Sequence, residues 1–505
     1  MTEPGQTLDA PEATPETPVA EGTTSHDIPL PAELAKAMAE NWEPAPLMPH
    51  PAGRDGQPSA GAKTWATHRA ALSKAVPGQQ IVIPSGQLKV RANDTDYSFR
   101  TSSAFTWLTG ETVEGAVLVL APNGAGHDAT LYLREYAGAG EPGYFTNRLY
   151  GALWVGNVPD IEQTAAVLDL SVRPQSELAD ALKRHQDTLT LKGIDAELDR
   201  LLPGAAETKL LEIIDELRLT KDSWEIEQLQ AACDATTRGF TDVAAELKNV
   251  LAAGGKRGER WLEGTFWRRS RMEGNEVGYG SIVGAGRHGT TLHWWRNDGD
   301  IEPGQLLLAD MGVEVDSLYT ADVTRTFPVT GEWTDTQRKL YGAVLEAQQA
   351  GIAEVKAGAD FRAAHNAAMW VLADYLHSWG ILPVSAEVSC NTDVDAPGAG
   401  LHRRYTLHGV SHMLGIDVHD CSAAREEVFR DGPLGSGYVL TVEPGLYFQP
   451  NDLTVPAEWR GIGIRIEDDI LVTDGDPVNL SGALPRDPDE ITAWMRDAQA
   501  SPVLP

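Results

Sequence analysis

The chain has 505 residues, of which 42% are hydrophobic, and it carries a formal net charge of −32 at pH 7. This length predicts two domains, each with a sizeable core. The negative charge disfavours nucleic acid or an anionic membrane surface as a partner, because their phosphate groups would be repelled.

Three further features favour a cytoplasmic protein. The N-terminal residues lack the basic and apolar segments of a signal peptide. The sequence contains no apolar run of the roughly 18 residues that a membrane span requires. The three cysteines are odd in number and far apart, so they predict neither a disulfide framework nor a zinc knuckle.

The N-terminal part of the chain predicts a tail and then a small α/β domain. Residues 1–30 are rich in Pro, Glu, Thr and Ala, and they predict a disordered acidic tail. Within residues 31–218, the helical spacing covers 63–75, and buried strands are predicted at 80–84 and 115–120. Apolar runs that alternate with helical segments indicate an open mixed sheet flanked by helices.

An α+β pattern follows from residue 219 onward. Helices predicted at 208–217 and 223–247 meet at a capped junction, residues 220–223. We place the domain boundary there, which gives an N-terminal domain over 31–218 and a C-terminal domain over 219–505. Strands and long helices then mix without strict alternation, and the last twenty or so residues predict a weakly helical tail.

A faint internal repeat relates residues 304–312 to residues 437–445. Each segment reads glycine, five strand-like residues, an acid, one residue and glycine, and the acids are Asp310 and Glu443. A second acid follows each on a later strand, Asp322 in the first case and Glu467 in the second. The repeat predicts two similar half-sites that face each other.

These four acids lie in apolar, strand-like surroundings. The segment between Asp310 and Asp322 is short enough to turn and return, which would place both carboxylates on neighbouring antiparallel strands. Carboxylates that close repel each other unless a proton or a cation intervenes, and buried charges need partners or metals. The alternatives are unrelated surface acids for the first pair and, for Glu467, a salt bridge with Arg465.

Three histidines fall in the segment 407–420. His408 and His412 have the spacing of the zinc-protease motif, but Gly409 stands where that motif carries its catalytic glutamate. Neighbouring glycines also disfavour a helix, so we reject that interpretation. For each ring taken alone, a core histidine with satisfied hydrogen bonds remains the alternative.

The four carboxylates and the histidines together predict a binuclear metal site. Four negative charges balance two divalent cations, and oxygen-dominated ligands suit Mn²⁺ better than Zn²⁺ or Co²⁺. Paired ions about 3.5 Å apart can activate one water and polarise a carbonyl, which is machinery for hydrolysis. The sequence has no Walker loop, GxSxG element or dinucleotide fingerprint that would indicate another chemistry.

At these residues the chain resembles the aminopeptidase P and prolidase branch of the pita-bread (creatinase/aminopeptidase) metallopeptidases. The resemblance runs from about residue 219 to 473, through SIVGAGRHGTTLHWWRN, DVTRTFPVTG, residues 408–420, TVEPGLYF and GIRIEDDILVT. The segment RANDTDYSFRTSSAFTWLTG resembles the first domain of the same family. The resemblance implies a C-terminal pita-bread domain preceded by an aminopeptidase P-like N-terminal domain.

The resemblance also implies roles for individual residues. Asp322 and Glu467 would bridge the two ions, Arg465 would support the bridging glutamate, and His408 would not be a ligand. The family usually separates its two aspartates by eleven positions, whereas here the separation is twelve, which places one extra residue in the turn near 316–319. The implied metal ligands are Asp310, Asp322, His412, Glu443 and Glu467. The implied catalytic residues are His293, His408, His419, Glu443 and Arg465.

The activity implied is that of a metal-dependent exopeptidase with a water bridging two divalent ions. It releases the N-terminal residue from peptides with proline at the second position, and the family commonly forms homodimers or homotetramers. Glu443 is the candidate base, His419 the candidate oxyanion stabiliser, and His293 or His408 the proton route to the proline nitrogen. Candidates for a proline pocket, with core packing as the alternative for each, are Trp294, Trp295 and Tyr447.

Several alternatives of the same fold remain open. The nearest is a prolidase, which cleaves only Xaa-Pro dipeptides; a tripeptide with proline second separates the two. A catalytically inactive peptide-binding protein is another, and metal analysis separates it from an enzyme. A methionine aminopeptidase generally lacks an N-terminal domain of this size, and a creatinase-like amidinohydrolase generally lacks the full ligand set.

Overall fold

The structure is a computed structural model that describes residues 31–43, 48, 50–53, 57–206 and 209–500. The predicted disordered tail, residues 1–30, lies outside the described residues, as does Thr208 of a predicted helix. The chain divides into two compact units, Met1–Pro49 with Arg134–Asp160, and His50–Leu133 with Ile161–Pro505. The domain boundary predicted at 218/219 does not coincide with this division and stays a prediction.

The described residues form α-helices of very different lengths, and none of these helices is long and apolar enough to cross a membrane. In chain order they are α1 (Ala32–Ala39), α2 (Ala62–Ala75), α3 (Ser103–Thr109), α4 (Pro142–Thr146), α5 (Ala152–Val155), α6 (Ile161–Leu168), α7 (Leu178–Leu182), α8 (Ala196–Leu201), α9 (Leu210–Arg218), α10 (Ser223–Ala252), α11 (Gly258–Glu273), α12 (Asp335–Ala353), α13 (Ala363–Ser378), α14 (Ala386–Ser389) and α15 (Pro488–Ala500).

The strands are short and belong to several small sheets and one larger one. In chain order they are β1 (Gln80–Pro84), β2 (Val90–Ala92), β3 (Thr95–Asp96), β4 (Val117–Pro122), β5 (His127–Leu133), β6 (Ser171–Pro174), β7 (Thr188–Thr190), β8 (Glu276–Val277), β9 (Ile282–Ala285), β10 (Leu306–Met311), β11 (Val313–Glu314), β12 (Val323–Pro328), β13 (Val439–Val442), β14 (Gly445–Phe448), β15 (Ile462–Arg465), β16 (Asp468–Leu471) and β17 (Val478–Asn479).

The first compact unit is a small helical assembly. It contains α1, α4 and α5, and a parallel bridge joins Ala137 to Gly151. The ring of Trp42 packs edge-on against Tyr144 with 5.4 Å between centroids. Contacts between aromatic rings thus order a unit that has few buried aliphatic side chains.

The second unit opens with a five-stranded mixed sheet in the order β6-β5-β4-β1-β7. The inner pairs β1–β4 and β4–β5 are antiparallel, whereas β5–β6 and β1–β7 are parallel. Alternate residues of a strand face opposite sides, and both sides of β1 are covered. Ile81 packs into the large core that includes α2 and α3, while Val82 packs against α7 and α8. The predicted α/β region with a mixed sheet is confirmed.

The junction between α9 and α10 forms as the sequence predicts. The Asp222 carboxylate accepts a hydrogen bond from the Glu225 backbone N–H, and the Glu225 carboxylate accepts one from the Asp222 backbone N–H. This reciprocal cap satisfies two amide donors that the first turn of a helix leaves without partners. The helix then continues to Ala252, five residues beyond its predicted end.

Two antiparallel strand pairs form the centre of the C-terminal region, which is α+β as predicted. Strand β10 pairs with β12 in a single register, from Leu306 opposite Pro328 to Met311 opposite Val323. Strand β13 pairs with β16 in the same manner. Since the β10–β12 ladder keeps one register, the extra residue between the two aspartates lies in the connection, where Leu318 adopts a left-handed conformation (φ 68°).

The C-terminal segment is better ordered than the sequence analysis predicts. Helix α15 buries Ile491, Met495 and Ala498, and the Trp494 indole N–H donates to Thr241 Oγ1 over 3.2 Å. The three buried residues recur at helical spacing, which gives this short helix an apolar face. The predicted helical tail is therefore present over Pro488–Ala500, and its apolar face packs it against the core.

A buried ion cluster joins the α9–α10 junction to the segment that carries His419. Arg218 donates to Asp420 and, over 3.0 Å, to Asp417, while Lys221 Nζ lies 3.0 Å from the other oxygen of Asp420. Arg218, Lys221 and Asp420 are 3%, 4% and 2% exposed. Burial disfavours the ionised form of Asp420, but the two cations outweigh it and hold its pKa at about 2.

Removing one cation from this cluster is expected to destabilise the fold. Arg218→Ala leaves Asp420 buried with one cation fewer, so the free energy of unfolding should fall by about 3–5 kcal/mol. The matched control is Arg338→Ala, which breaks an exposed ion pair with Asp489 and should cost less than about 1 kcal/mol. Urea unfolding of both variants measures the difference, and equal losses would contradict the assignment.

Candidate metal centre

One cavity of about 670 Å³ brings together every residue that the sequence analysis assigns as a metal ligand or a catalytic residue. The elements that supply them are far apart in the chain, so only the fold makes them neighbours. Their individual roles stay predictions, but their convergence is a property of the structure. The predicted residues that line the cavity are His293, Asp310, Asp322, His408, His412, His419, Glu443, Arg465 and Glu467.

The four carboxylates enter the cavity from the two strand pairs. Asp310 lies near the end of β10, and Asp322 immediately precedes β12, the strand that pairs with β10. Glu443 immediately follows β13, and Glu467 immediately precedes β16, the strand that pairs with β13. Each strand pair thus contributes one acid from its outgoing strand and one from its returning strand, as the internal repeat predicts.

Two donors fix the Asp310 carboxylate. The Tyr279 hydroxyl donates to Oδ1 over 2.6 Å, and Arg465 Nη2 donates to Oδ2 over 2.5 Å. Arg465 also donates from Nε to Thr324 Oγ1 over 3.1 Å. Both oxygens of Asp310 are therefore oriented before any ligand binds, in a position where only 7% of the residue is exposed.

The returning acids are oriented by their own neighbours. Thr324 Oγ1 donates to Glu467 Oε2 over 2.6 Å, and the Asp322 backbone N–H donates to Asp469 over 3.1 Å. Asp322, Glu467 and His412 each offer one ligand atom, and these atoms lie within 4.8 Å of one another. Two carboxylates and an imidazole at that separation match the ligand types of a divalent cation.

His412 has the orientation of a metal ligand. Its Nδ1 lies 3.1 Å from the carbonyl oxygen of Met413, which is an acceptor, so Nδ1 carries the proton. Its Nε2 then faces Asp322 at 3.3 Å and Glu443 at 3.6 Å. A backbone carbonyl that fixes the tautomer and leaves the other nitrogen toward a carboxylate cluster is typical of metal-binding histidines.

His408 ends a chain of hydrogen bonds. Arg465 Nη1 lies 3.0 Å from the Tyr447 hydroxyl, and that hydroxyl lies 2.7 Å from His408 Nε2. Arginine only donates, so Tyr447 accepts from Arg465 and donates to His408. His408 Nδ1 then donates to the Gly409 carbonyl over 2.7 Å. Burial and the charge of Arg465 lower the pKa of His408 to about 4, which agrees with a neutral ring.

The charges of the cavity favour the uptake of cations. Burial, together with the charges of the neighbouring acids, raises the pKa of Glu443 to about 7 and that of Glu467 well above its ordinary value. Burial lowers the pKa of His412, but its hydrogen bond to Asp322 and the nearby carboxylates outweigh burial and raise it to about 9. Raised pKa values of this kind mean that the buried carboxylates repel each other and that added positive charge would stabilise them. The donor set therefore fits a divalent metal centre.

The remaining predicted residues lie around this centre. The His419 ring packs against His412 with 4.3 Å between centroids, and the His293 ring stacks on Trp295 at 5.0 Å. Trp295 lines the cavity and is 63% exposed. Trp294 instead stacks on His288 and donates to Glu259. It therefore packs within the fold, which was the alternative to a place in the proline pocket.

Two details differ from the sequence analysis. The hydrogen bonds of Arg465 go to Asp310, Thr324 and Tyr447, so its link to Glu467 passes through Thr324, and the proposed Arg465–Glu467 salt bridge is replaced by one with Asp310. Tyr279 was missed altogether. It lies in a loop without hydrophobic periodicity, and only the partner it reaches in the fold identifies it.

Two family models match the chain. The model described as metallopeptidase family M24 matches residues 227–474. The model described as aminopeptidase P, N-terminal domain, matches residues 65–190. The two matches fall on either side of the predicted boundary at 218/219.

Curated proteins and solved structures agree with these matches. Xaa-Pro aminopeptidase 1 from Streptomyces coelicolor is 47% identical over 468 residues, or 92% of each chain. Xaa-Pro aminopeptidase from Escherichia coli is 30% identical over 85% of this chain and 96% of its own. The structure of proline aminopeptidase P II from Yersinia pestis has a TM-score of 0.73 at 30% identity, covering 86% of this chain and 99% of that one. Zinc-substituted Escherichia coli aminopeptidase P in complex with product has a TM-score of 0.74 at 29% identity, covering 86% and 98%.

Metal content tests the ligand assignment. Asp322→Ala and Glu467→Ala should each lose at least one of the two divalent ions that the sequence predicts, because each removes a carboxylate whose ligand atom lies within 4.8 Å of that of His412. Glu458→Ala, which removes an exposed acid elsewhere, should keep both. Elemental analysis after dialysis measures the stoichiometry, and full metal content in the first two variants would contradict the assignment.

Proposed function

The chain belongs to metallopeptidase family M24, and we propose that it is a metal-dependent Xaa-Pro aminopeptidase. It would release the N-terminal residue from peptides that carry proline at the second position. The expected pita-bread fold and the preceding aminopeptidase P-like region are confirmed by the family models and by the solved structures that cover most of the chain. The substrate follows from the names of the relatives, which are Xaa-Pro aminopeptidases over nearly their full length.

The observation that carries the proposal is the convergence of five ligand side chains in one cavity. Asp310, Asp322, His412, Glu443 and Glu467 come from separate elements and line the same space. Members of the metallopeptidase family bind divalent ions, and we propose two, with Mn²⁺ first and Co²⁺ or Zn²⁺ as alternatives, because the ligands are mostly oxygen. Such ions supply Lewis-acid chemistry that polarises the scissile carbonyl and makes water nucleophilic near neutral pH.

The chain's own residues would orient the substrate and move protons. Glu443 lies 3.5 Å from His408 Nδ1 and 3.6 Å from His412 Nε2, so its carboxylate is placed between two imidazoles at the centre of the cavity. His419 lies on the cavity wall beside His412, where a donor can stabilise charge on the carbonyl oxygen. We assign Glu443 as the base and keep His293 and His408 as the candidate routes to the leaving nitrogen.

The proline ring would lie against aromatic side chains of the cavity. Proline is rigid and makes its preceding amide tertiary, so a shaped pocket recognises it without hydrogen bonds to its nitrogen. Trp295 is exposed on the wall beside His293, and Tyr447 lies under His408 with its hydroxyl fixed by Arg465. Trp295 therefore supports the proposed pocket. Neither Trp294 nor Tyr447 lines the cavity, and Tyr447 is buried in a cluster with Ile282 and Leu308.

The assembly and location of the protein are finer parts of the proposal. We propose a homodimer or homotetramer in the cytoplasm. Apolar side chains exposed on α5, at Leu153, Trp154 and Val155, support self-association, since each exposes about half of its surface. The strongly negative charge gives no support for a nucleic acid partner.

Substrate length separates the aminopeptidase from the prolidase. With Mn²⁺ added, an Xaa-Pro-Yaa tripeptide should be cleaved with release of Xaa, while Xaa-Ala-Yaa should be a poor substrate because it lacks the ring that the pocket recognises. Amino-acid release measured by chromatography reports the rates. Turnover of Xaa-Pro dipeptides alone would indicate a prolidase, and no turnover of any of them would favour the inactive alternative.

A histidine variant separates catalysis from metal binding. His408→Ala should keep both ions, because both ring nitrogens of His408 form hydrogen bonds, to Tyr447 and Gly409, and neither is free to bind a metal. Its kcat should fall by about 10²-fold, the lower range for a group that transfers or positions a proton. Steady-state kinetics and metal analysis on the same sample measure both quantities. Loss of an ion would instead make His408 a ligand.

A further inference from the structure

A second and larger cavity, of about 1090 Å³, lies beside the metal centre. His408 and Gly409 line both cavities, so the wall that carries His408 separates them. The second cavity is otherwise formed by α13, α14 and the segment around residues 399–407. None of the roles assigned so far uses it.

The lining of this cavity has the opposite charge to the chain as a whole. The chain has 73 acidic and 41 basic residues. Among the described residues, none of those that line this cavity is Asp or Glu. The groups that are cationic or become so on protonation are Arg362, His365, His402, Arg403 and His408. A concave surface of one sign attracts a ligand of the other sign.

Three of these five groups already have partners. Arg362 donates to Asp431, an exposed acid, and to the carbonyl of Arg430. His402 Nδ1 lies 2.9 Å from Ser389 Oγ. His408 is held by Tyr447. These contacts occupy hydrogen-bonding atoms of the three side chains, so the three are less suited to binding a ligand.

The other two groups have free hydrogen-bonding capacity. The Arg403 side chain is exposed and has no hydrogen bond or ion pair with any residue that the structure describes. His365 Nδ1 is buried and has no hydrogen-bond partner in the same described set. A buried polar atom without a protein partner is unfavourable unless a ligand or water satisfies it. Burial lowers the pKa of His365, and the charges of His402, Arg403 and Arg362 lower it further.

We propose that this cavity binds the residues that follow proline, and that Arg403 and His365 hold the free C-terminal carboxylate of short peptide substrates. The inference rests on the proposed function, since it extends the same substrate. In this arrangement the metal centre takes the N-terminal residue, and the chain beyond proline would pass His408, which lines both cavities, into the second one. An extended peptide advances about 3.3 Å per residue, so a cavity of this volume accommodates the third and fourth residues.

The apolar part of the cavity suits peptide side chains. Trp370 is 48% exposed and Leu407 is 62% exposed, and both line it beside the buried Met369. An arginine guanidinium binds a carboxylate through two parallel hydrogen bonds, which gives it a preference for a chain end over an internal peptide group. Tri- and tetrapeptides with a free carboxylate are therefore the substrate class that the cavity favours.

The test compares each Xaa-Pro-Yaa peptide as its free acid and as its C-terminal amide. The native, Mn²⁺-loaded enzyme should show a kcat/KM about tenfold higher for the acid, the scale of one charge-assisted hydrogen bond. Arg403→Gln should bring the ratio close to one by lowering kcat/KM for the acid. His365→Gln should reduce the ratio in the same direction. The matched control is Arg271→Gln, an exposed arginine of α11 outside both cavities, which should leave the ratio at its native value.

Each other outcome has a defined meaning. Equal rates for acid and amide in the native enzyme overturn the inference and leave the proposed function intact, whereas no hydrolysis of either peptide overturns the proposed function. A reduced ratio in Arg271→Gln as well would assign the preference to overall charge and overturn the inference. Inhibition of acid and amide alike by inorganic phosphate, lost in Arg403→Gln, would show a separate anion site and also overturn it.

Discussion

The repulsion between buried carboxylates is the constraint on which the rest of this structure depends. Asp310, Asp322, Glu443 and Glu467 share one cavity, and Asp310, Asp322 and Glu467 are at most 7% exposed. In a medium of low dielectric, like charges at such distances raise each other's pKa, so the arrangement is stable only with cations or protons among the acids. The fold has to hold the acids together against this repulsion, and the function uses the positive charge that they attract.

Hydrogen-bond donors behind the acids hold the carboxylates in place against their mutual repulsion. Arg465 and Tyr279 fix Asp310, and Thr324 connects Arg465 to Glu467. Arg465 and Thr324 lie on paired strands, so the ladders set the positions of the acids and of these two donors at the same time. A rigid support of this kind keeps ligand atoms within coordination distance without the ion itself having to fold the site.

How much of this was predictable depends on whether the signal was local. An acid at the end of an apolar run, such as Asp310, can be recognised because strand periodicity and a buried charge are visible in sequence, and the capped start of α10 is written in four residues. Tyr279 and the two unpartnered groups of the second cavity have no such signal, since their roles follow from neighbours brought in by the fold. Helix α15 was predicted only as weakly helical because its apolar face is short and lies close to prolines. The division into compact units was missed because it groups two segments, Met1–Pro49 and Arg134–Asp160, that are far apart in the chain.

The ion cluster at the α9–α10 junction has a consequence for how this protein can be divided. Arg218 and Lys221 precede residue 227, where the match to the metallopeptidase family begins, yet they neutralise Asp420, the neighbour of His419. Arg100 and Ser103, from the sheet-bearing region, also reach this loop through the carbonyl of Ile416 and the carboxylate of Asp417. A chain cut at residue 227 would retain all five proposed metal ligands and still lose the counterions of the loop that carries His419. The two regions are separate in sequence, but ion pairs between them stabilise the loop that carries His419. Replacing either region with that of a relative would therefore require the matching charges in the other.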